Sequence, residues 1–296
     1  MRRVLLMKER TVLIGVDWGA SNFRAWAFDE EGEAIGGTSV PDGLLTHTGD
    51  ALERLTFHIN EWLGEWPEVP IIACGGVGSA EGLHETGYRP VPFLIADLPK
   101  HLVHVHGLYI VPGLKQASPP DVISGEETQL FALDDSVGAV CIPGTHTKHV
   151  TVEHGRILGF TTEMTGELRA LLLASGGLKA PAGVKQAFSE AVFREWVELT
   201  LDTDDAASLF AVRAARMTGD LAPEYHATAL TGLLIGSDVA AHYDPGDELT
   251  LVADGPLLES YRIALDALGA EFDECSAEEA TQDGLFELAD EAGLLG

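Results

Sequence analysis

Positive charge is what this chain has least of. Against 47 aspartates and glutamates stand 18 lysines and arginines over 296 residues, for a net charge of −29. A nucleic-acid binder needs a basic face to neutralise phosphates, so the charge argues against that class. The acidic excess is dispersed rather than gathered in a tail, which suits a high-salt cytoplasm where self-repulsion is screened. Stability is therefore expected to rise with added KCl. A site for an anionic substrate must be locally basic, which gives weight to each Lys or Arg in a motif. Cysteine is scarce too: Cys74, Cys141 and Cys275 lie far apart with no C-x-x-C pair. The first two sit in apolar, strand-like runs and read as buried reduced thiols. No apolar run approaches the ~18 residues of a membrane span. The opening MRRVLLMKERTVLIG imitates a signal peptide, but its apolar core is too short. Residues 1–10 read as a flexible leader with Met7 as an alternative start, and the expected location is cytoplasmic. Also missing are the G-x-x-x-x-G-K-[ST] loop and the G-x-S-x-G elbow, against P-loop and serine hydrolase chemistry.

What is present is organised around TVLIGVDWGASNFRAW, Thr11 to Trp26. Val12 to Val16 has the length and composition of a buried strand. It ends at Asp17, and Gly19 supplies the freedom for a tight turn into a second strand, Phe23 to Phe28. A carboxylate at a strand tip, with Ser21, Asn22 and Arg24 following, suits a magnesium-bound polyphosphate. The carboxylate serves the metal shell, amides and hydroxyl the phosphate oxygens, and the guanidinium the charge. An ordinary hairpin with a solvated Asp is the alternative.

Downstream, the pattern predicts a third strand over Ala34–Val40 and a helix over Asp50–Leu63. Pro67 and Pro70 close that helix off before a strand over Ile71–Cys74. CGGVGSAEG, Cys74 to Gly82, fails the dinucleotide fingerprint because Glu81 stands where the last glycine is required. It is a tight loop, or one whose backbone approaches a small ligand. His101, His104 and His106 have metal-like spacing but no acidic or Cys partner nearby, so surface histidines are expected. A strand covers Leu108–Val111. Lys115–Pro120 reads as a linker, dividing the chain into domains at 11–116 and 117–296. Asp121 is expected to act as an N-cap or turn residue before the helix SGEETQLFAL, with Glu126 and Glu127 in its first turn.

Val137 to Phe160, VGAVCIPGTHTKHVTVEHGRILGF, repeats the plan of Val12 to Gly37. Each copy runs strand, Gly turn with hydroxyl residues, strand, acidic Gly turn, strand. The repeat suggests two related sheets facing each other across a cleft, each with a phosphate-holding hairpin. In the second copy Thr145, Thr147 and Lys148 supply donors, and Lys148 is one of six lysines in the chain. From Thr165 onward the expected elements are helices over Gly166–Ala174, Lys185–Leu199, Ala206–Ala215 and Pro223–His242. A strand over Leu249–Ala253 follows, then a helix opened by Asp254-Gly255-Pro256 and running to Leu268. A last helix is capped by Ser276 with Glu279.

Two phosphate hairpins, an acidic helix start between them and a late strand-Gly-helix unit resemble the actin-like/hexokinase superfamily. The implied fold is α/β, the actin-like ATPase (ribonuclease H-like) fold, with two related α/β domains, an interdomain cleft and a last helix packing back on the first domain. DWGASNFRAW, PDVISGEETQL, IPGTHTKHV and TTEMTGEL further resemble, in order, the signature blocks of the 2-dehydro-3-deoxygalactonokinase family. Two places depart from that family. Gly76 and Ala80 stand where a bulky and a basic residue are usual, and a His-Ser pair is replaced near Ala174-Ser175.

The resemblance implies ATP-dependent phosphorylation of the 6-hydroxyl of 2-dehydro-3-deoxy-D-galactonate, with Mg2+ and ATP bound. Asp17 would anchor the metal. Gly19, Ser21, Asn22, Arg24, Gly144, Thr145, Thr147 and Lys148 would hold phosphates, and Gly255 would lie against adenosine. Glu127 would be the base, with Glu126 as the near alternative; the competing view is solvated acids that favour a helix N-terminus. Gly76, Ser79, His146, Met164, Thr165 and Glu167 fall on the substrate side. Other expected partners are no nucleic acid and no membrane, with room for a homodimer. Another 2-keto-3-deoxy acid as substrate, or a non-catalytic nucleotide- or sugar-sensing switch, remains open.

Overall fold

Leu13–Trp18 (β1) is apolar except at Gly15 and Asp17, and its apolar side chains are fully buried. The computed structural model describes residues 10–44, 49–64, 68–133, 137–201 and 208–295. The leader before Arg10, Pro67 and the expected helix start at Ala206 lie outside the described residues. The chain forms two compact units. Unit 1 comprises Met1–Val137, Val152–Phe160 and Ala277–Gly296; unit 2 comprises Gly138–Thr151 and Thr161–Ser276. This division differs from the expected boundary at 116/117, because residues 117–137 fall in unit 1; the last helix also falls in unit 1, as the resemblance implies.

In unit 1, β1 pairs antiparallel with Phe23–Phe28 (β2), which pairs antiparallel with Ala34–Val40 (β3). The sequence ends the strand at Asp17; the ladder continues through Asp17 opposite Arg24 and Trp18 opposite Phe23. Helix Ala51–Leu63 (α1) starts where Asp50 accepts from the Glu53 N–H, and Gly64 closes it in the left-handed region. It buries Leu55 and Ile59 against Ile14, Val16 and Phe23. Ile71–Gly75 (β4) runs parallel to β1. Arg89–Pro90 (β5), Phe93–Leu94 (β6), Val103–Val105 (β7) and Leu108–Ile110 (β8) follow, giving a main sheet of order β3-β2-β1-β4-β8-β7.

The segment expected as a linker is instead a hairpin. Leu114–Ala117 (β9) and Pro120–Ile123 (β10) pair antiparallel, and β5 completes a three-stranded sheet. Buried Leu114 and Ile123 pair across it, so an apolar face outweighs the Ser and Pro that signal a loop. Asp121 therefore lies in a strand rather than at a helix cap. Glu126–Phe131 (α2) begins after Gly125. The closing helix of unit 1 is Ala277–Glu291, here α8. Its Leu285 packs on β1 at Gly15, where a Cβ would sit 3.0 Å from Leu285 and 2.7 Å from the Phe28 ring.

Ala139–Ile142 (β11) pairs antiparallel with Thr147–Glu153 (β12), and Arg156–Glu163 (β13) follows. Glu248–Val252 (β14) lies parallel to β11, and Glu271–Cys275 (β15) parallel to β14. The order β13-β12-β11-β14-β15 reproduces β3-β2-β1-β4-β8, so the internal repeat seen in the sequence is a repeat of topology. β15 has no counterpart among the sequence expectations, because EFDEC is too acidic and too exposed to show a strand pattern.

The helices of unit 2 are Thr165–Ala174 (α3), Glu190–Leu201 (α4), Leu209–Thr218 (α5), His226–His242 (α6) and Gly255–Leu268 (α7). α4 starts later than Lys185 because Ser189 accepts the Val192 N–H as its cap. Gly232 and Gly236 let α6 touch α4 closely: a Cβ on Gly232 would lie 2.6 Å from the Phe193 carbonyl.

Candidate active site

In unit 1, three chain segments bring their ends together. The tip of β1 presents Asp17, the end of β4 presents Gly75 and Gly76, and the start of α2 presents Gly125 to Glu127. A Cβ on Gly75 would lie 2.7 Å from the Trp18 carbonyl, and one on Gly125 would lie 3.2 Å from the Gly75 Cα. Both have positive φ, 89° and 110°, where only glycine is unstrained. Arg24, the ladder partner of Asp17, donates to the Asp17 carboxylate through Nε at 3.0 Å and through its second guanidinium nitrogen. It thus leans on Asp17 rather than projecting alone. The buried Cys74 thiol lies 3.9 Å from the other Asp17 oxygen.

Glu127 is the most unusual group in this cluster. It is 1% exposed, and both carboxyl oxygens accept the Gly125 N–H, at 2.8 and 2.9 Å. Burial pushes its carboxyl up to about 8, with the neighbouring charges of Glu126 and Asp17 adding to the shift. Two hydrogen bonds from one amide do not offset that desolvation. Glu126 accepts the Ser124 N–H at 2.8 Å and lies half-buried. The view of solvated acids at a helix start fits Glu127 badly.

The turn after β1 is braced from behind. Its Gly19 N–H donates to the Asn22 carbonyl, and Ser21 and Asn22 are exposed. The Trp18 indole N–H donates to the Asp42 carbonyl at 2.7 Å, and the Leu44 N–H to the Gly19 carbonyl at 3.0 Å. Gly43 sits so close that a Cβ there would lie 2.1 Å from the Ala20 carbonyl oxygen. Arg54 and His58 of α1 grip the Asp42 carboxylate at 2.5 and 2.6 Å. Sequence patterns mark the turn and leave this brace unmarked, because its members are spread over Asp42 to His58.

In unit 2 the turn after β11 meets the start of α3. A Cβ on Gly166 would lie 2.5 Å from the Gly144 carbonyl oxygen, and the Glu167 N–H donates to the Thr145 carbonyl at 3.0 Å. His146 and Glu167 pair at 2.6 Å, each about one-third exposed. Thr145 and Met164 are exposed. Thr147 and Thr165, expected at the phosphate and substrate, point inward: Thr147 hydrogen-bonds the Tyr261 hydroxyl at 2.8 Å, and Thr165 donates to Asp238 at 2.8 Å. Lys148 is 6% exposed and donates to Thr162 at 3.1 Å. Gly255 opens α7 with φ 54° and is exposed. In unit 1, the Ser79 hydroxyl turns back to the Gly76 carbonyl at 2.7 Å. Of the three histidines with metal-like spacing, His104 stacks on Tyr109 instead.

The arrangement in unit 1 fits a hard cation held through few protein oxygens. Asp17 offers a carboxylate at a strand tip, with one oxygen taken by Arg24 and the other facing a Cys74 thiol that burial keeps protonated. The residues chosen from sequence therefore fall into two clusters, one per unit. Asp238, Tyr261 and the Asp42 brace escaped sequence reasoning. One signal was available: Asp238 is a lone acid inside the apolar run LLIGSDVAAH.

Residues 17–288 match the family described as 2-keto-3-deoxy-galactonokinase. A Rhizobium meliloti protein named "Probable 2-dehydro-3-deoxygalactonokinase DgoK1" is 33% identical over 294 residues, covering 93% of this chain and 95% of that one. The 2-dehydro-3-deoxygalactonokinase of Escherichia coli is 31% identical over 287 residues, covering 93% and 97%. A Sinorhizobium meliloti crystal structure described under the same activity superposes with a TM-score of 0.85 at 32% identity, covering 94% of this chain and 95% of that one. The fold is the actin-like α/β fold expected from the paired hairpins.

Proposed function

The chain belongs to the 2-keto-3-deoxy-galactonokinase family, and from that premise we propose that it transfers the γ-phosphoryl group of ATP to the 6-hydroxyl of 2-dehydro-3-deoxy-D-galactonate. The products are the 6-phosphate and ADP. The observation that carries the catalytic part is Glu127: a carboxyl buried at a helix start, near Asp17, with its pKa raised toward neutrality. A base is most effective when its pKa lies near the working pH.

Phosphoryl transfer depends on positioning and charge neutralisation more than on covalent chemistry by the protein. Glu127 accepts the proton leaving the 6-hydroxyl as that oxygen bonds to phosphorus, with Glu126 as its near alternative. Asp17 would hold Mg2+, directly or through water; when bound, that ion neutralises phosphate charge. Arg24, paired with Asp17, would offset charge building on the transferred group, and Lys148 charge on the leaving diphosphate. Gly19, Ser21 and Asn22 offer amides and a hydroxyl to phosphate oxygens, as do Gly144 and Thr145. Gly255 is the adenosine contact. His146, paired with Glu167, is the substrate-side group best supported by its exposure, with Met164, Gly76 and Ser79. Thr147 and Thr165 contribute by fixing the turn and the helix start through their hydroxyls, which bond Tyr261 and Asp238 rather than a ligand.

The test is ADP release coupled to NADH oxidation, with magnesium ATP, a panel of sugar acids, and high and low KCl. Release only with 2-dehydro-3-deoxygalactonate is the expected result. Release only with a different acid would move the departures at Gly76, Ala80 and Ala174 to the centre. No release with any acid, despite ATP binding, would leave a switch of the same fold.

A further inference from the structure

His149, Asp238 and His242 bring their ligating atoms within 4.8 Å of one another in unit 2, beside Lys148 and Thr165. The cluster resembles a metal site, but its geometry is wrong for one. The two imidazoles stack with ring centroids 3.8 Å apart and planes only 12° from parallel. Nitrogen lone pairs lie in the ring planes, so those of two parallel rings do not converge on one ion. Both nitrogens of His149 are also engaged. Nε2–H donates to Asp238 at 2.6 Å, and Nδ1 accepts the Tyr243 hydroxyl at 2.9 Å.

What the cluster does contain is a carboxylate with three donors. Asp238, in the middle of α6 with a side chain 2% exposed, accepts His149, the Thr165 hydroxyl at 2.8 Å and the Tyr261 hydroxyl. Because Tyr261 donates to Asp238, its oxygen accepts the Thr147 hydroxyl. Burial alone would raise the Asp238 carboxyl, but the hydrogen bonds from His149, Tyr261 and Thr165 hold it below the ordinary carboxylate value. The spokes end at telling places. Thr147 and His149 flank Lys148 on β12, and Thr165 stands between Met164 and the Gly166-Glu167 pair that packs against Gly144 and Thr145. A buried carboxylate is a poor device for stability alone, since apolar residues of the same shape serve as well or better. It is a good device for fixing geometry.

We propose that Asp238 is a positioning residue for phosphoryl transfer, holding the 143–148 turn and the start of α3 in one fixed relation through His149, Tyr261 and Thr165. This rests on the kinase function proposed above. Asp238 touches no reactant; it acts through Lys148, His146 and Glu167.

The test compares full-length wild type, Asp238→Asn, Thr165→Val and Tyr261→Phe. Each is assayed for kcat and KM for ATP and sugar acid per folded molecule, and for amide hydrogen exchange. Asp238→Asn is expected to fold, to lose at least tenfold in kcat/KM, and to exchange amides of 143–148 and 164–168 at least fivefold faster. The single-spoke variants should show smaller losses in the same two segments. A lower melting temperature with wild-type kcat, KM and exchange would overturn the proposal and leave Asp238 a structural residue. If Asp238→Asn does not fold, the other two decide: wild-type kinetics and exchange in both would overturn it equally. If wild type phosphorylates no sugar acid, the kinase function falls. The exchange data then still decide the positioning, with unchanged rates in the two segments refuting it.

Discussion

Glu127→Gln should make the protein more stable and much less active, with a stability gain that depends on pH. In the folded chain burial lifts the carboxyl from 4.5 to about 8. A pKa raised on folding means that the native state favours the protonated acid. The associated stability is complete below about pH 4.5 and is lost as pH rises through about 8. One pKa unit corresponds to about 1.4 kcal/mol, so ionisation of the unfolded chain takes roughly 3 kcal/mol of stability from the wild type by pH 7, approaching roughly 5 kcal/mol above pH 8. Glutamine is nearly isosteric, keeps an oxygen to accept the Gly125 N–H, and cannot ionise. Urea unfolding of both proteins at pH 4.5, 7 and 9 should therefore give a difference near zero, then about 3, then about 5 kcal/mol in favour of the variant. The same variant should lose on the order of 10²-fold or more in kcat, because no carboxylate remains to accept the hydroxyl proton. Parallel stability curves would show that Glu127 does not ionise in a buried place, and wild-type turnover would remove it as the base.

Wild-type kcat/KM should rise with pH, reach half its maximum near 8 and level off about one unit higher, as Glu127 ionises; a flat profile from pH 6 to 9 would contradict its role. Asp17→Ala should lower kcat on the order of 10³-fold and abolish its dependence on magnesium concentration, read in the ADP-release assay; full magnesium-dependent activity would refute the metal role. Gly43→Ala places a methyl 2.1 Å from the Ala20 carbonyl and must displace the first hairpin turn. It should cost about 2 kcal/mol in urea unfolding and raise the KM for ATP severalfold; unchanged values would mean that the brace does not hold the turn. A net charge of −29 should make the melting temperature climb steadily with KCl, and a temperature indifferent to salt would sink that expectation.

The strands and helices with strong periodicity were legible in the chain before any coordinates. β2, β3 and α1 fall within a residue of where apolar spacing places them. The Val12–Gly37 and Val137–Phe160 copies were readable as one plan because the order of strand, glycine turn and acidic turn is itself local information. The β9–β10 hairpin and β15 were not. Ser118-Pro119 gives the hairpin a loop-like composition, and EFDEC is acidic with its partner β14 on the far side of α7 in the chain. At the site, residue type identified Asp17 and Glu127 as candidates but could not distinguish a solvated acid from a buried one.

Local chemistry thus determined the kind of groups present: a carboxylate at a strand tip, two acids opening a helix, hydroxyls and a lysine in a second hairpin, and a strongly acidic composition. Only the tertiary structure decided what state those groups are in. The contacts around Glu127 that strip its water come from packing, and so does the commitment of Thr147 and Thr165 to Tyr261 and Asp238 rather than to a ligand. The physical reason is that desolvation and hydrogen-bond partnership are set by residues distant in sequence. A spacing pattern shows which atoms can react, and burial fixes which of them hold a proton.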